Sequence, residues 1–316
     1  MRINSPNLLK KYFEMRGKVV CSKEHYDTMV KFTTLLLENN VTSGSDVGSI
    51  IFSKDRAMQL HAFLGSYLDN VSNRGKLDVL YKVTDERHAR SYEELKHIFS
   101  DEDIVLHEES DFRTQLIDLC EQSLADKIIF YVDDMLFTHK VDYDAVRKID
   151  TSRYILALTR GKDLTHSVVL QKQVSIPEFY ERVHGFECFR WDYSSEVSDW
   201  TFPLGVSGFM FGRNETSAML KSIAFKAPNS LESSMQFFVP FFSGRYGLCT
   251  EQAVCVCVHA NLVQSEWTNH SIETFSIDEL LGLWDAGKMI DRQALYGKPL
   301  TSVQEASYTF VDRSRT

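Results

Sequence analysis

From residue 49 onward short apolar runs alternate with amphipathic stretches, and this rhythm restricts the possible folds more than any single motif. Ile50, Ile51 and Phe52 centre a strand-length run at 49–53, and Leu60, Phe63, Leu64 and Leu68 follow at helical spacing. Runs at 77–84 and 103–107 repeat the pattern, with helices expected around 92–99 and 111–121. A fourth run, 127–132, ends on two aspartates. Strand–helix alternation with short connections implies βαβ units and an α/β fold, a mainly parallel sheet flanked by helices. Right-handed crossovers would bring the strand C-termini to one edge, where such sheets bind ligands.

The remainder is less regular. Residues 154–159 and 208–211 read as strands, and 215–223, 230–238 and 277–284 as helices; Ser276 reads as an N-cap, with Asp278 and Glu279 in the first turn of the last. Aromatic residues crowd 186–211, a pattern commoner in cores than in ligand platforms. Residues 1–45 read as a helical extension, with apolar spacing at 8–13 and 26–37 broken by Asn39-Asn40 and Ser43-Gly44-Ser45. Their lysines and aromatics would suit a peripheral membrane or assembly-complex contact, and a helical cap on the core is the plainer reading. The expected division is 1–45 as extension, 46–265 as one catalytic domain and 266–316 as a C-terminal helical segment and tail. A nucleotide-binding half would reach to about 160, with an acceptor half after it.

Bulk properties remove several classes. A net charge of −9 argues against a general nucleic-acid binder. No apolar run reaches the length of about 18 residues needed to span a bilayer, and the first residues carry no signal-type segment. The expectation is a cytoplasmic protein, at most peripheral at the inner face of the membrane. Six scattered cysteines, including Cys255 and Cys257 on one side of an expected strand, read as reduced core thiols. Four N-x-[ST] sequons are taken as chance matches.

P-loop, dinucleotide and serine-hydrolase signatures are missing, so the sheet needs another chemistry. The strongest local signal is Ile128-Ile129-Phe130-Tyr131-Val132 delivering Asp133 and Asp134 at a strand end. Adjacent carboxylates repel, and the arrangement needs compensation: a divalent cation bridging to phosphates, or hydrogen bonds to a ribose. The competing reading is a turn whose aspartates cap backbone amides.

These segments together resemble family 2-like glycosyltransferases of GT-A fold, of the kind that assemble bacterial polysaccharide and lipopolysaccharide. The similarity covers about 48–265. Ile50-Ile51-Phe52-Ser53-Lys54-Asp55-Arg56 is similar to their opening strand and turn, Thr84-Asp85 to the end of their second strand, and Tyr131-Val132-Asp133-Asp134-Met135-Leu136-Phe137 to their donor-diphosphate segment. Leu156-Ala157-Leu158-Thr159-Arg160-Gly161, Trp200-Thr201-Phe202-Pro203-Leu204 and Phe225-Lys226-Ala227-Pro228-Asn229-Ser230-Leu231-Glu232 continue the resemblance.

The resemblance implies transfer of a sugar from a nucleotide-sugar donor to a hydroxyl of a glycan or glycolipid acceptor, with inversion. Ser53, Asp55, Arg56, Asp85, Asp133 and Arg160 would bind the donor, Asp85 near the base. Asp134, with Asp133, would hold Mn2+ or Mg2+. A leaving diphosphate needs positive charge, and an acceptor hydroxyl needs a base. Glu232 is the first candidate base and Asp199 the second; Asn229 reads as the N-cap of the helix carrying Glu232, which sits at its third position.

Two departures stand out. Met135 occupies a place where the family often has a third acid, and a thioether is a poor ligand for hard cations. His259, Arg160 or Lys162 would then share the charge. Ser207 likewise stands where an aspartate is common. Both motivate an alternative, a catalytically impaired relative that binds within a polysaccharide-assembly complex. A sugar nucleotidyltransferase fits less well, because residues 53–57 lack glycine.

Overall fold

The computed structural model of the protein describes residues 21–38, 46–168, 170–191, 198–261, 275–305 and 308–313. The first half carries the expected alternation: β1 (Val47–Lys54), α2 (Ala57–Asn70), β2 (Leu77–Lys82), α3 (Glu86–Ile98), β3 (Ile104–Glu108), α4 (Phe112–Gln122) and β4 (Lys127–Val132), preceded by α1 (Lys23–Glu38). Ile50, Ile51, Ile128, Ile129 and Phe130 are almost wholly buried, because helices cover both faces of a parallel sheet. Asp85 and Asp111 accept the backbone N–H of His88 and Thr114 and so start α3 and α4.

The second half adds β5 (Met135–Phe137), β6 (Tyr154–Gly161), β7 (Phe179–Val183), β8 (Phe186–Arg190), β9 (Phe209–Gly212), α5 (Arg213–Ser222), α6 (Pro228–Met235), β10 (Tyr246–Thr250), β11 (Cys255–Val258), α7 (Ile277–Asp285) and β12 (Gln304–Glu305). Nine strands form the main sheet in the order β7-β8-β10-β6-β9-β4-β1-β2-β3. β3, β2, β1 and β4 are mutually parallel, as are β6 and β10; β9 runs antiparallel between β4 and β6. This is the α/β, mainly parallel architecture expected from the sequence.

Helix α1 packs on α5 and buries Phe32 against Phe238, while Tyr26, Val30 and Leu37 stay exposed. It caps the core; the run at 8–13 lies outside the described residues. Phe186, Phe189, Trp191, Trp200, Phe209 and Phe211 are all buried, so most of the aromatic crowd is core; Phe202 is half-buried and lines a cleft, and Tyr193 lies outside the described residues. A second, three-stranded sheet has the order β12-β11-β5. Residues 266–316, expected to be a helical segment and tail, thus also supply a strand to this sheet, and the short strands Lys288–Ile290 and Phe310–Asp312 pair with each other. Two-residue strands are too short to show an alternating pattern. Among the described residues no helix is long and apolar enough to cross a membrane.

Candidate donor site

The C-terminal ends of β1, β2 and β4 open into a cleft of about 740 Å³. Its floor is Asp133 and Asp134, which leave β4 just before the chain folds into β5. Asp133 is tightly held. Ser53 Oγ donates to Oδ2 at 2.8 Å, the Lys54 backbone N–H donates to the same oxygen at 3.3 Å, and Arg56 Nη1 donates to Oδ1 at 3.0 Å. Arg56 Nη1 also reaches Asp134 Oδ2 at 3.3 Å, and its Nη2 donates to the Asn261 carbonyl. The repulsion between the two carboxylates is therefore offset by a buried guanidinium. Burial raises the Asp133 carboxyl above its ordinary range, Arg56 opposes that shift, and Asp134 adds to it.

Tyr92 on α3 fixes the same corner. Its hydroxyl lies 2.5 Å from Ser53 Oγ and accepts the Arg56 backbone N–H at 3.2 Å. Asp55 adopts the left-handed region, φ 54°, which aspartate tolerates. Its carboxylate accepts both the N–H and the hydroxyl of Thr84, at 2.9 and 3.1 Å, and thereby ties the β1–α2 turn to the end of β2. Asp55 and Asp85 are not among the cleft-lining residues; Asp85 is exposed and caps α3.

The opposite wall brings together Arg160, Asp199 and Glu232. Arg160, 5% exposed, donates to the Asp199 carbonyl at 2.9 Å and to Thr159 Oγ1 at 3.0 Å, and its guanidinium lies over the Phe209 ring. Asp199 Oδ2 is buried without a hydrogen-bond partner among the described residues. Glu232 Oε1 accepts the Val206 N–H at 3.1 Å, and burial raises its carboxyl while Val206 and Arg160 counter the rise. The start of α6 differs from the sequence reading. Pro228 is the first helical residue, where its fixed φ suits the turn, and Ser230 Oγ accepts the Ala227 N–H at 3.0 Å. Glu232 is consequently the fifth residue and free of capping, its carboxylate turned to the cleft.

Sequence reasoning missed Cys257. Cys257 is a buried free thiol of the core, as expected, but it also lines the cleft with His259, and the ligand atoms of Asp134, Cys257 and His259 lie within 4.8 Å of one another. The available signal was the C-x-H spacing, since residues two apart on a strand share a face. Asp134 Oδ1 is buried and unpartnered among the described residues, so carboxylate and imidazole together fit a divalent cation. Met135, by contrast, is 1% exposed and packs toward Gly208, whose φ of 78° suits glycine.

No protein-family model matches the chain. It is similar to the bifunctional glycosyltransferase pgtA of Dictyostelium discoideum, 22% identical over an alignment of 278 residues that covers 77% of this chain and 36% of that one. The chain therefore spans about a third of this curated relative. Among solved structures it is similar to S. aureus TarS 1–349 in complex with UDP-GlcNAc, at 13% identity and a TM-score of 0.44, over 75% of this chain and 66% of that one. A mannosyltransferase from Pyrobaculum calidifontis in complex with GDP-Man and Mn2+ matches at 12% identity and a TM-score of 0.28, over 42% and 43%.

Proposed function

We propose that the chain is a nucleotide-sugar-dependent glycosyltransferase of GT-A type, and that the cleft is its donor and acceptor site. The observation that carries this reading is the pairing of two walls across one cleft. The Asp133–Asp134 edge, underpinned by Arg56, faces Arg160, Asp199 and Glu232. Similarity to a curated glycosyltransferase supports it.

In this reading the donor diphosphate lies along the aspartate edge. Asp133, oriented by Ser53 and Arg56, accepts hydrogen bonds from the ribose. Asp134 and His259 are the residues that would hold a divalent cation, which when bound neutralises charge on the leaving diphosphate. Arg160, on the cleft wall, supplies a further fixed positive charge for the leaving diphosphate. Glu232 takes the proton of the acceptor hydroxyl; its raised carboxyl makes it a stronger base than an ordinary glutamate. Asp199 is the second candidate. Direct displacement with one base inverts the anomeric centre, and the acceptor is a glycan or glycolipid hydroxyl.

Calorimetry with UDP-, GDP-, CMP- and dTDP-sugars, with and without manganese, tests the donor assignment, and silence across the whole panel would end it. The anomer of the product, read by NMR, tests inversion; a retained configuration removes Glu232 from the role of base. The reading of an impaired relative loses one of its supports, because Met135 faces the core rather than the cleft.

A further inference from the structure

We infer that the cleft contains a thiolate-bearing cation site, Asp134–Cys257–His259, that takes zinc-class ions in preference to manganese or magnesium. The inference concerns the proposed donor cleft but rests on that reading only for the open fourth position, which a phosphate oxygen would fill. Ion binding itself follows from the residues.

The argument starts from the strand. In Cys255-Val256-Cys257-Val258 the period of two sends Val256 and Val258, both nearly fully buried, to one side and Cys257 to the other, and His259, just past the strand's end, joins Cys257 in the cleft lining. β11 pairs antiparallel with β5, Cys257 opposite Met135, and Val258 N–H donates to the Asp134 carbonyl at 2.7 Å. That register carries Asp134 beside both side chains. His259 Nε2 stands 3.9 Å from Asp134 Oδ2, and all three ligand atoms lie within 4.8 Å of one another. Tetrahedral zinc, with bonds of roughly 2.0–2.3 Å, needs ligand atoms about 3.3–3.6 Å apart. Small side-chain rotations close the difference.

Two further observations separate this set from an ordinary core thiol. Of the six cysteines, only Cys257 lines the cleft. Asp134 Oδ1 is buried with no hydrogen-bond partner among the described residues, while Oδ2 is engaged by Arg56. Oδ2, the oxygen 3.9 Å from His259 Nε2, is thus also held by Arg56, while Oδ1 is left for a ligand. Hard ions such as Mg2+ prefer oxygen donors, whereas thiolate and imidazole favour zinc. Three protein ligands leave one position open, as in zinc sites that bind a further ligand. Binding forms a metal–sulfur bond as the Cys257 S–H bond breaks. One proton passes to the buffer per ion, with no change of oxidation state.

The test uses the full chain stripped of metal and titrated with Co2+, then with Zn2+ and Mn2+ against a chromophoric chelator. A thiolate-to-cobalt charge-transfer band in the near ultraviolet is expected, lost in Cys257→Ser and kept in Cys255→Ser. Zinc affinity should fall about 10- to 100-fold in Cys257→Ser, with manganese affinity little changed. Circular dichroism checks the fold; if Cys257→Ser does not fold, the wild-type cobalt spectrum and His259→Ala supply the same decision. A cobalt complex without the band, or zinc affinity indifferent to both substitutions, overturns the inference. Donor-sugar binding measured on the same preparation keeps the two readings apart. Donor binding without the band removes only this site, and the band without donor binding removes only the transferase.

Discussion

At the residue scale the sheet edge depends on Arg56. It is 7% exposed and its guanidinium serves Asp133, Asp134 and the Asn261 carbonyl together. Removing one partner of a buried ion pair leaves the others charged and unpaired, which typically costs about 3–5 kcal/mol. Arg56→Met should therefore destabilise the protein by about that much in urea unfolding at neutral pH. The double variant Arg56→Met/Asp133→Asn should recover a substantial part; a strictly additive loss would show that the two side chains do not act together. His61 gives the pH dependence. Burial, reinforced by Arg292 and Arg313, pushes its imidazole down to about 4, while the unfolded chain titrates near 6.5. A depressed histidine stabilises fully above the unfolded value, and the contribution drains away as pH falls from about 6.5 toward 4. Wild type should lose more stability between pH 7 and pH 5 than His61→Leu does, measured by urea midpoints at both values. Equal losses would mean that His61 is not held neutral. Asp133, whose carboxyl is raised, works in the opposite sense across the acid range and should be kept unchanged in that comparison.

At the element scale the sequence was most readable where burial imposes a period. Ile128 to Val132 could only be a covered strand, and the observed β4 differs from the expected run by no residue at either end. Ser276 and Glu279 likewise declared the start of α7, where each accepts the other's backbone N–H. The antiparallel insertion of β9 between β4 and β6, and the meeting of β5 with β11, were not readable. Both are long-range pairings, and strands of three or four residues carry too few side chains to encode a partner. The same limit hid Cys257, since its chemistry depends on Asp134 arriving from a strand more than a hundred positions earlier. Arg56, Asp133 and Asp134 were legible because local order alone places them at strand ends. Gly161 shows how closely the distant parts approach. A Cβ there would meet the Ala253 backbone nitrogen at 2.1 Å and Asp163 Oδ1 at 2.4 Å. Backbone cannot rotate away, so Gly161→Ala should cost about 1–3 kcal/mol or more and disturb the segment leading to β11. A thermal midpoint unchanged from wild type would contradict this packing.

At the scale of the whole molecule, the C-terminal segment is integrated with the cleft rather than appended to it. Asp163 accepts the N–H groups of Ala253 and Leu300, Cys257 N–H donates to the Val303 carbonyl, and Val303 and Gln304 reach the cleft wall. The segment is anchored on α2 and α3 by Trp284, which is 1% exposed, packs edge-on against His61, donates Nε1–H to Glu94 at 2.8 Å and lies under the Arg313 guanidinium. Arg292 and Tyr296 add bonds to Asp69 at 3.1 and 2.7 Å. Replacing a buried tryptophan with alanine removes its transfer free energy and leaves a cavity, typically 3–5 kcal/mol. If the anchor and the sheet form one cooperative unit, Trp284→Ala should shift the whole unfolding transition, with far-ultraviolet dichroism and tryptophan fluorescence still coincident. Two separated transitions, only the earlier one displaced, would instead mean that the C-terminal segment unfolds on its own. Because that segment supplies part of the cleft wall, a cooperative shift also predicts that ligand binding and global stability fall together in this variant.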